Sequence, residues 1–163
     1  MADPTAKPAS LAARPAAKLL VAFPQFRVAD VVKTAEYYRD VFGFQIGDYF
    51  GSPPVFVHIH RDNVVLQIGN LQDPQAGTRA PGGVGCNAYL WTNDVDALAV
   101  ELRGRKADIV EGPVERQYAC RELVVKDLNG LTICFSQSTL AERRAKAQVE
   151  SSPTEGGNEP PCR

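Results

Sequence analysis

The chain has 163 residues, 44% hydrophobic and 23% charged, with a formal net charge of −1. A chain of that size holds one compact domain with a real core. No apolar run approaches the ~20 residues a membrane helix needs. Near-neutral charge argues against a nucleic-acid partner. Between residues 19 and 137, 11 Lys/Arg stand against 14 Asp/Glu, a mild acidity that suits a small-molecule binder. The start, Met1-Ala2-Asp3-Pro4, lacks the basic and apolar regions of a signal peptide, so a cytoplasmic location is expected.

Residues 1–17 are rich in Ala and Pro and read as an extended or disordered arm. A strand is expected near Leu19–Val28. Asp30 then caps a helix from Val31 to Phe42, which Gly43 stops. Val32, Ala35, Tyr38 and Phe42 lie at helical spacing on one face of it. Strands follow near Gln45–Tyr49, Val55–His60 and Val64–Gly69, the last two joined by a turn at Asp62-Asn63. Residues 71–83, rich in Gly and Pro, read as a linker.

The pattern then repeats. Asp30, Val31, Ala35 and Arg39 recur at one offset as Asp94, Val95, Ala99 and Arg103. The second copy has a strand near Cys86–Thr92, a helix near Val95–Arg105 and a short strand near Asp108–Glu111. A loop through Gly112-Pro113 leads to a final hairpin, Glu122–Lys126 with Leu131–Ser136. Such a repeat means two similar units sharing a core. The expected fold is α+β: two βαβββ modules, about 18–70 and 84–137, in a paired domain spanning 18–137, forming a curved mixed sheet that lines a cleft, with the helices on the outside. A charged helix is expected over 138–150, opened by the capping box Thr139-Leu140-Ala141-Glu142. A disordered tail over 151–163 is expected after it. Cysteines 86, 120, 134 and 162 form no Cys-x-x-Cys pair and read as reduced thiols.

Strands alternate their side chains between two faces. Val64, Leu66 and Ile68 are the apolar set of the fourth strand and belong against the helix, which leaves Val65 and Gln67 open. The Asp62-Asn63 turn then pairs His60 with Val65 and His58 with Gln67, placing both imidazoles on the open face. On the first strand Phe23, Gln25 and Arg27 face the same way. Asn87, Tyr89 and Trp91 do so on the fifth strand, and Cys134 on the last. These ten side chains are the candidate ligand-binding set. Arg27 has two open readings, pairing with a ligand anion or with a cleft carboxylate. Arg121 and Glu122 read as a structural hydrogen-bonding pair.

The chain resembles the vicinal oxygen chelate superfamily, which holds glyoxalase I, extradiol dioxygenases and the bleomycin resistance proteins. The match runs through Val28-Ala29-Asp30, Glu36-Tyr37-Tyr38-Arg39-Asp40-Val41-Phe42-Gly43-Phe44, Arg61-Asp62-Asn63-Val64-Val65-Leu66 and Asp94-Val95-Asp96-Ala97-Leu98. It closes on Tyr118-Ala119-Cys120-Arg121-Glu122-Leu123 and Lys126-Asp127-Leu128-Asn129-Gly130. In the metal-dependent members four cleft residues hold the ion, and the positions matching them here are Phe23, Gln67, Asn87 and Cys134. Phe23 has no donor atom and Asn87 is a poor ligand, so no metal and no other cofactor is expected. The resemblance implies a metal-free homodimer of the bleomycin-resistance type, binding an aromatic or amphipathic small molecule between subunits. The alternative is a lyase, isomerase or dioxygenase of the same superfamily, with His58 and His60 as its catalytic groups and with or without an atypical metal. A third reading is an interaction module whose cleft serves dimerisation.

Overall fold

The computed structural model describes residues 18–71 and 85–141. The expected arm, linker and tail, and the expected helix beyond Ala141, lie outside the described residues. Elements follow in the order β1 (Gln25–Val28), α1 (Val31–Phe42), β2 (Gln45–Phe50), β3 (Phe56–Arg61), β4 (Val64–Asn70), β5 (Ala88–Trp91), α2 (Val95–Gly104), β6 (Asp108–Arg116), β7 (Cys120–Lys126) and β8 (Thr132–Ser138). The strands form two four-stranded mixed sheets, ordered β1-β4-β3-β2 and β5-β8-β7-β6. In each, the first strand runs parallel to the last strand of its unit. This is the βαβββ unit twice over.

Both helices start as their sequences dictate. Asp30 and Asp94 are extended residues whose carboxylates accept from Lys33 N and Ala97 N at 2.9 Å, and each cap is worth about 1 kcal/mol. Gly43 ends α1 in the left-handed region, φ 72°, where a side chain would be strained. The buried stripe of α1 is Val31, Thr34, Ala35, Tyr38 and Phe42. Val31 takes the place expected for Val32, because the helix begins with its first residue already against the sheet.

Two strand expectations need correction. β1 starts only at Gln25, and Leu19, Leu20 and Val21 stand exposed before it. Pro24 has no N–H to give a ladder, although its carbonyl accepts from Gln67 N at 2.9 Å. β6 does not stop at Glu111. It continues through Gly112-Pro113 to Arg116, with register shifts that absorb the irregular backbone.

The helix-covered faces of both sheets feed one hydrophobic cluster, in which Leu66, Ile68, Leu123 and Ile133 are fully buried. Each such side chain contributes about 1.5–3 kcal/mol. Polar bonds tie the units across this core. Tyr38 Oη donates to Asp127 Oδ2 at 3.3 Å, Asn129 Nδ2 donates to Thr34 Oγ1 at 3.2 Å, and Arg61 Nη2 donates to Glu101 Oε2 at 2.7 Å. Asp127 is itself buried and accepts from the Asn129 and Leu131 amides at 2.8 Å, which shapes the β7–β8 turn. Burial, followed by the charge of Asp127, pushes the Tyr38 phenol well above its ordinary value. No helix among the described residues is long and apolar enough to cross a membrane.

Candidate functional site

Because the helix side of each sheet is committed to the core, the opposite sides present the polar and aromatic side chains. On the first sheet the ladder pairs His58 with Gln67, His60 with Val65 and Gln25 with Gln67. The turn at Asp62-Asn63, with Asp62 at φ 52°, sets this register. The side chains form an oriented chain of hydrogen bonds. Gln25 Nε2 donates to Gln67 Oε1 at 3.4 Å, and Gln67 Nε2 lies 3.1 Å from His58 Nε2. With the amide nitrogen as donor, His58 Nε2 accepts and its ring proton sits on Nδ1. His60 Nε2 meets Gln45 Oε1 at 3.0 Å. The His58 ring lies between aromatic edges, 5.0 Å from the Phe56 centroid and 6.3 Å from that of Phe23.

On the second sheet the centre is Glu122, a residue read from sequence as the partner of Arg121. The structure separates those two. β7 alternates faces, so Arg121 turns outward to Asp96, with two bonds of 2.8 Å. Glu122 turns to the open face and is only 4% exposed. Its Oε1 accepts from Tyr89 Oη at 2.6 Å and Tyr118 Oη at 2.9 Å, and its Oε2 accepts from Arg116 Nε at 2.9 Å. Tyr89 has one phenolic proton, and that goes to the carboxylate. The 2.7 Å contact between Tyr89 Oη and Ser136 Oγ is then supplied by the serine proton. Arg116 also holds Glu111 through a forked pair at 2.6 and 3.1 Å.

The electrostatics follow from this packing. Burial pushes the Glu122 carboxyl up, but three hydrogen bonds and the Arg116 charge outweigh it, so the net shift is downward. Tyr89 is raised, by desolvation first and then by its bond to Glu122. Cys134 is pushed up to about 12, by burial first and then by the Glu122 charge. The thiol therefore stays protonated at neutral pH and is a poor nucleophile.

The structure brings the candidate residues together in two groups, not one. Gln25, His58, Gln67 and Phe23 share the first open face with Arg27 and His60. Tyr89 and Cys134 share the second, where the register pairs them directly. Asn87 is half-buried and its Oδ1 accepts from Thr132 N at 2.8 Å and Thr132 Oγ1 at 3.3 Å, which ties β5 to β8. Trp91 is 60% exposed, with its ring edge-on to Tyr89 at 5.6 Å. It also borders a cavity of about 370 Å³ at the junction of the units, with Phe44, Val64, Leu98 and Phe135.

A hollow of about 520 Å³ lies over Glu122, Tyr118, Tyr89, Val124, Cys86 and Cys134. A smaller one, about 270 Å³, lies over Arg27, Val55, Phe56, Gly69 and Asn70. None of these three hollows takes side chains from both open faces. Sequence reading missed Glu122, Arg116 and Tyr118 as site residues. The signal was available for Glu122: Leu123 and Val125 are apolar, so Glu122 and Val124 must face the other way.

The four positions that the resemblance matches to metal ligands do not fit a divalent ion here. Phe23 offers a ring, Gln67 and Asn87 are engaged as amides, and the Cys134 thiol is protonated. Among the described residues no three His, Cys, Asp or Glu side chains are placed to share an ion.

Two βαβββ units around one core, each with a polar-aromatic open face, define a paired-module fold. The family model described as "Glyoxalase/Bleomycin resistance protein/Dioxygenase superfamily" matches residues 20–135, and the chain belongs to that superfamily. Solved structures agree on the fold. TioX from Micromonospora sp. ML1 is similar with a TM-score of 0.56 at 19% identity, over 74% of this chain and 98% of its own. TnmS3, an antibiotic binding protein from Streptomyces sp. CB03234, gives 0.55 at 21%, over 75% and 99%. A glyoxalase/bleomycin resistance protein/dioxygenase from Nocardioides gives 0.58 at 14%, over 88% and 93%. No curated protein matches the chain by sequence.

Proposed function

We propose that the protein is a metal-free binder of an aromatic or amphipathic small molecule, of the antibiotic-sequestering type, that acts as a homodimer. One observation carries this reading: each unit presents a polar-aromatic open face, and among the described residues the hollows over the two faces are separate. A face bearing Tyr89, Tyr118 and Trp91, all more than 40% exposed, needs a cover. A second copy supplies one if the first open face of one chain lies over the second open face of its partner. The ligand then sits between His58 and Phe56 on one side and Tyr89 and Trp91 on the other. TnmS3, with the same fold, is described as an antibiotic binding protein.

The enzymatic alternative rests on His58 and His60. Both rings meet glutamine amides, and an amide orients an imidazole without drawing its proton as a carboxylate would. A binding role therefore accounts better for this face.

The test is intrinsic fluorescence. Trp91 is the only tryptophan, so its emission is expected to shift or quench as a bound aromatic ring stacks nearby. Trp91→Ala is expected to lower affinity by about 1–3 kcal/mol while the far-ultraviolet circular dichroism stays unchanged. Binding that proceeds unchanged in Trp91→Ala would remove this residue, and the site built around it, from the account.

A further inference from the structure

Among the described residues, Arg27 is the arginine whose guanidinium meets no acceptor in the protein. Seven arginines lie among the described residues. Arg39, Arg61, Arg105, Arg116 and Arg121 each pair with a carboxylate. Arg103 donates to the Gly112 carbonyl at 3.4 Å. Arg27 has no carboxylate partner and no protein acceptor among the described residues, yet its placement is specific.

The opposite residue across the ladder is Gly69, which in turn pairs with Phe56. The missing side chain of Gly69 forms a shelf. A Cβ built there would lie 3.7 Å from Arg27 Cδ, 3.9 Å from its Nε and 3.6 Å from Phe56 Cδ2. The arginine stem therefore lies across β4 toward the Phe56 ring, and Val55 and Asn70 complete a hollow of about 270 Å³ around it. The long stem covers apolar surface while the guanidinium head remains open to solvent.

The surrounding charge favours an anion. The ladder places Gln45, Phe50, His58, His60, Val65 and Gln67 on this face with Arg27, and none is a carboxylate. Asp48 lies in the β2 bulge between two ladder pairs. The other open face carries Glu111 and Glu122, both already held by Arg116. We infer that Arg27, lying across Gly69 beside Phe56, is an anion subsite that takes the carboxylate of a small aromatic acid, with the aromatic part directed along the Phe56–His58 edge. A guanidinium fork matches a carboxylate in two parallel hydrogen bonds. The inference rests on the reading of the open face as the ligand-binding surface.

The test compares 2-naphthoate, its uncharged analogue 2-naphthamide and the cation 2-naphthylmethylamine, by calorimetric titration of the full-length protein. Naphthoate is expected to bind about tenfold or more tighter than the amide, and the amine weakest. Arg27→Gln is expected to remove that preference and leave amide binding intact. Arg27→Lys should restore part of it, because charge remains while the fork is lost. Gly69→Val, which fills the shelf and displaces the arginine stem, should act like Arg27→Gln; a melting curve confirms that the variant is folded. Raising ionic strength from about 0.01 M to about 1 M shortens the Debye length roughly tenfold, and it should weaken naphthoate selectively. If naphthoate and naphthamide bind equally, or Arg27→Gln leaves the preference unchanged, the anion subsite is wrong while the open-face reading stands. If none of the three probes binds, both fall.

Discussion

The two open faces rest on the same βαβββ frame, yet they use their polar groups in opposite ways. On the first, the side chains meet one another in a sparse chain of amides and imidazoles, from Gln25 through Gln67 to His58, and Arg27 has no acceptor among the described residues. On the second, Glu122 gathers two phenols and a guanidinium from β5, from the turn before β7 and from β6. A buried carboxylate must be satisfied or it is costly. The second face is therefore rigid and locked by structure, while the first keeps hydrogen-bonding capacity for a partner or ligand. Duplicated units need share only the core-facing residues; the open faces are free to diverge.

The sharpest way to break that comparison is to remove the acceptor at its centre. Glu122→Leu leaves Tyr89, Tyr118 and Arg116 without their shared partner, although Arg116 keeps Glu111, and it is expected to destabilise the fold by about 1–3 kcal/mol in urea unfolding. His58→Ala, on the sparse face, should cost less than about 1 kcal/mol. Equal losses would show that both faces are structural.

Acid should act on the same centre. The folded Glu122 carboxyl titrates below its unfolded value. Its contribution to stability is thus present above the unfolded value, near 4.5, and is lost as pH falls through the lower folded value. Tyr89 works in the other direction: its raised phenol contributes stability that is present below the unfolded value of 10.0 and lost as pH rises beyond it. Stability measured across pH is expected to decline at both ends in the native protein. In Glu122→Gln the acid-side decline should be shallower. An unchanged acid limb would remove Glu122 from this role.

Cys134 gives a smaller effect. With its thiol pushed up to about 12, alkylation by iodoacetamide at neutral pH should proceed orders of magnitude more slowly than in the unfolded chain, as followed by peptide mass spectrometry. Prompt labelling of the native protein would place this side chain in a different environment.

Much of this arrangement was legible from sequence, because local rules govern it. Asp30 and Gly43 bracket α1, the Asp62-Asn63 turn sets the β3–β4 register, and alternation in Val64, Leu66 and Ile68 tells which side of β4 is buried. The Glu122 cluster was not legible, since its members come from three strands and a turn brought together only by folding. Proximity in sequence misled there: Arg121 and Glu122 are neighbours, and for that reason a strand points them to opposite faces. The extent of β6 was hidden by Gly112-Pro113, a pair that signals a loop yet here passes within a strand by shifting register.

The central claim is that the open faces become a ligand site when a second copy covers them, without a metal. Native mass spectrometry of the purified protein tests this in one spectrum. The account predicts an assembly of twice the 17.7 kDa chain mass with no metal retained. A species of one chain, or a dimer carrying a transition-metal ion on each subunit, would contradict it.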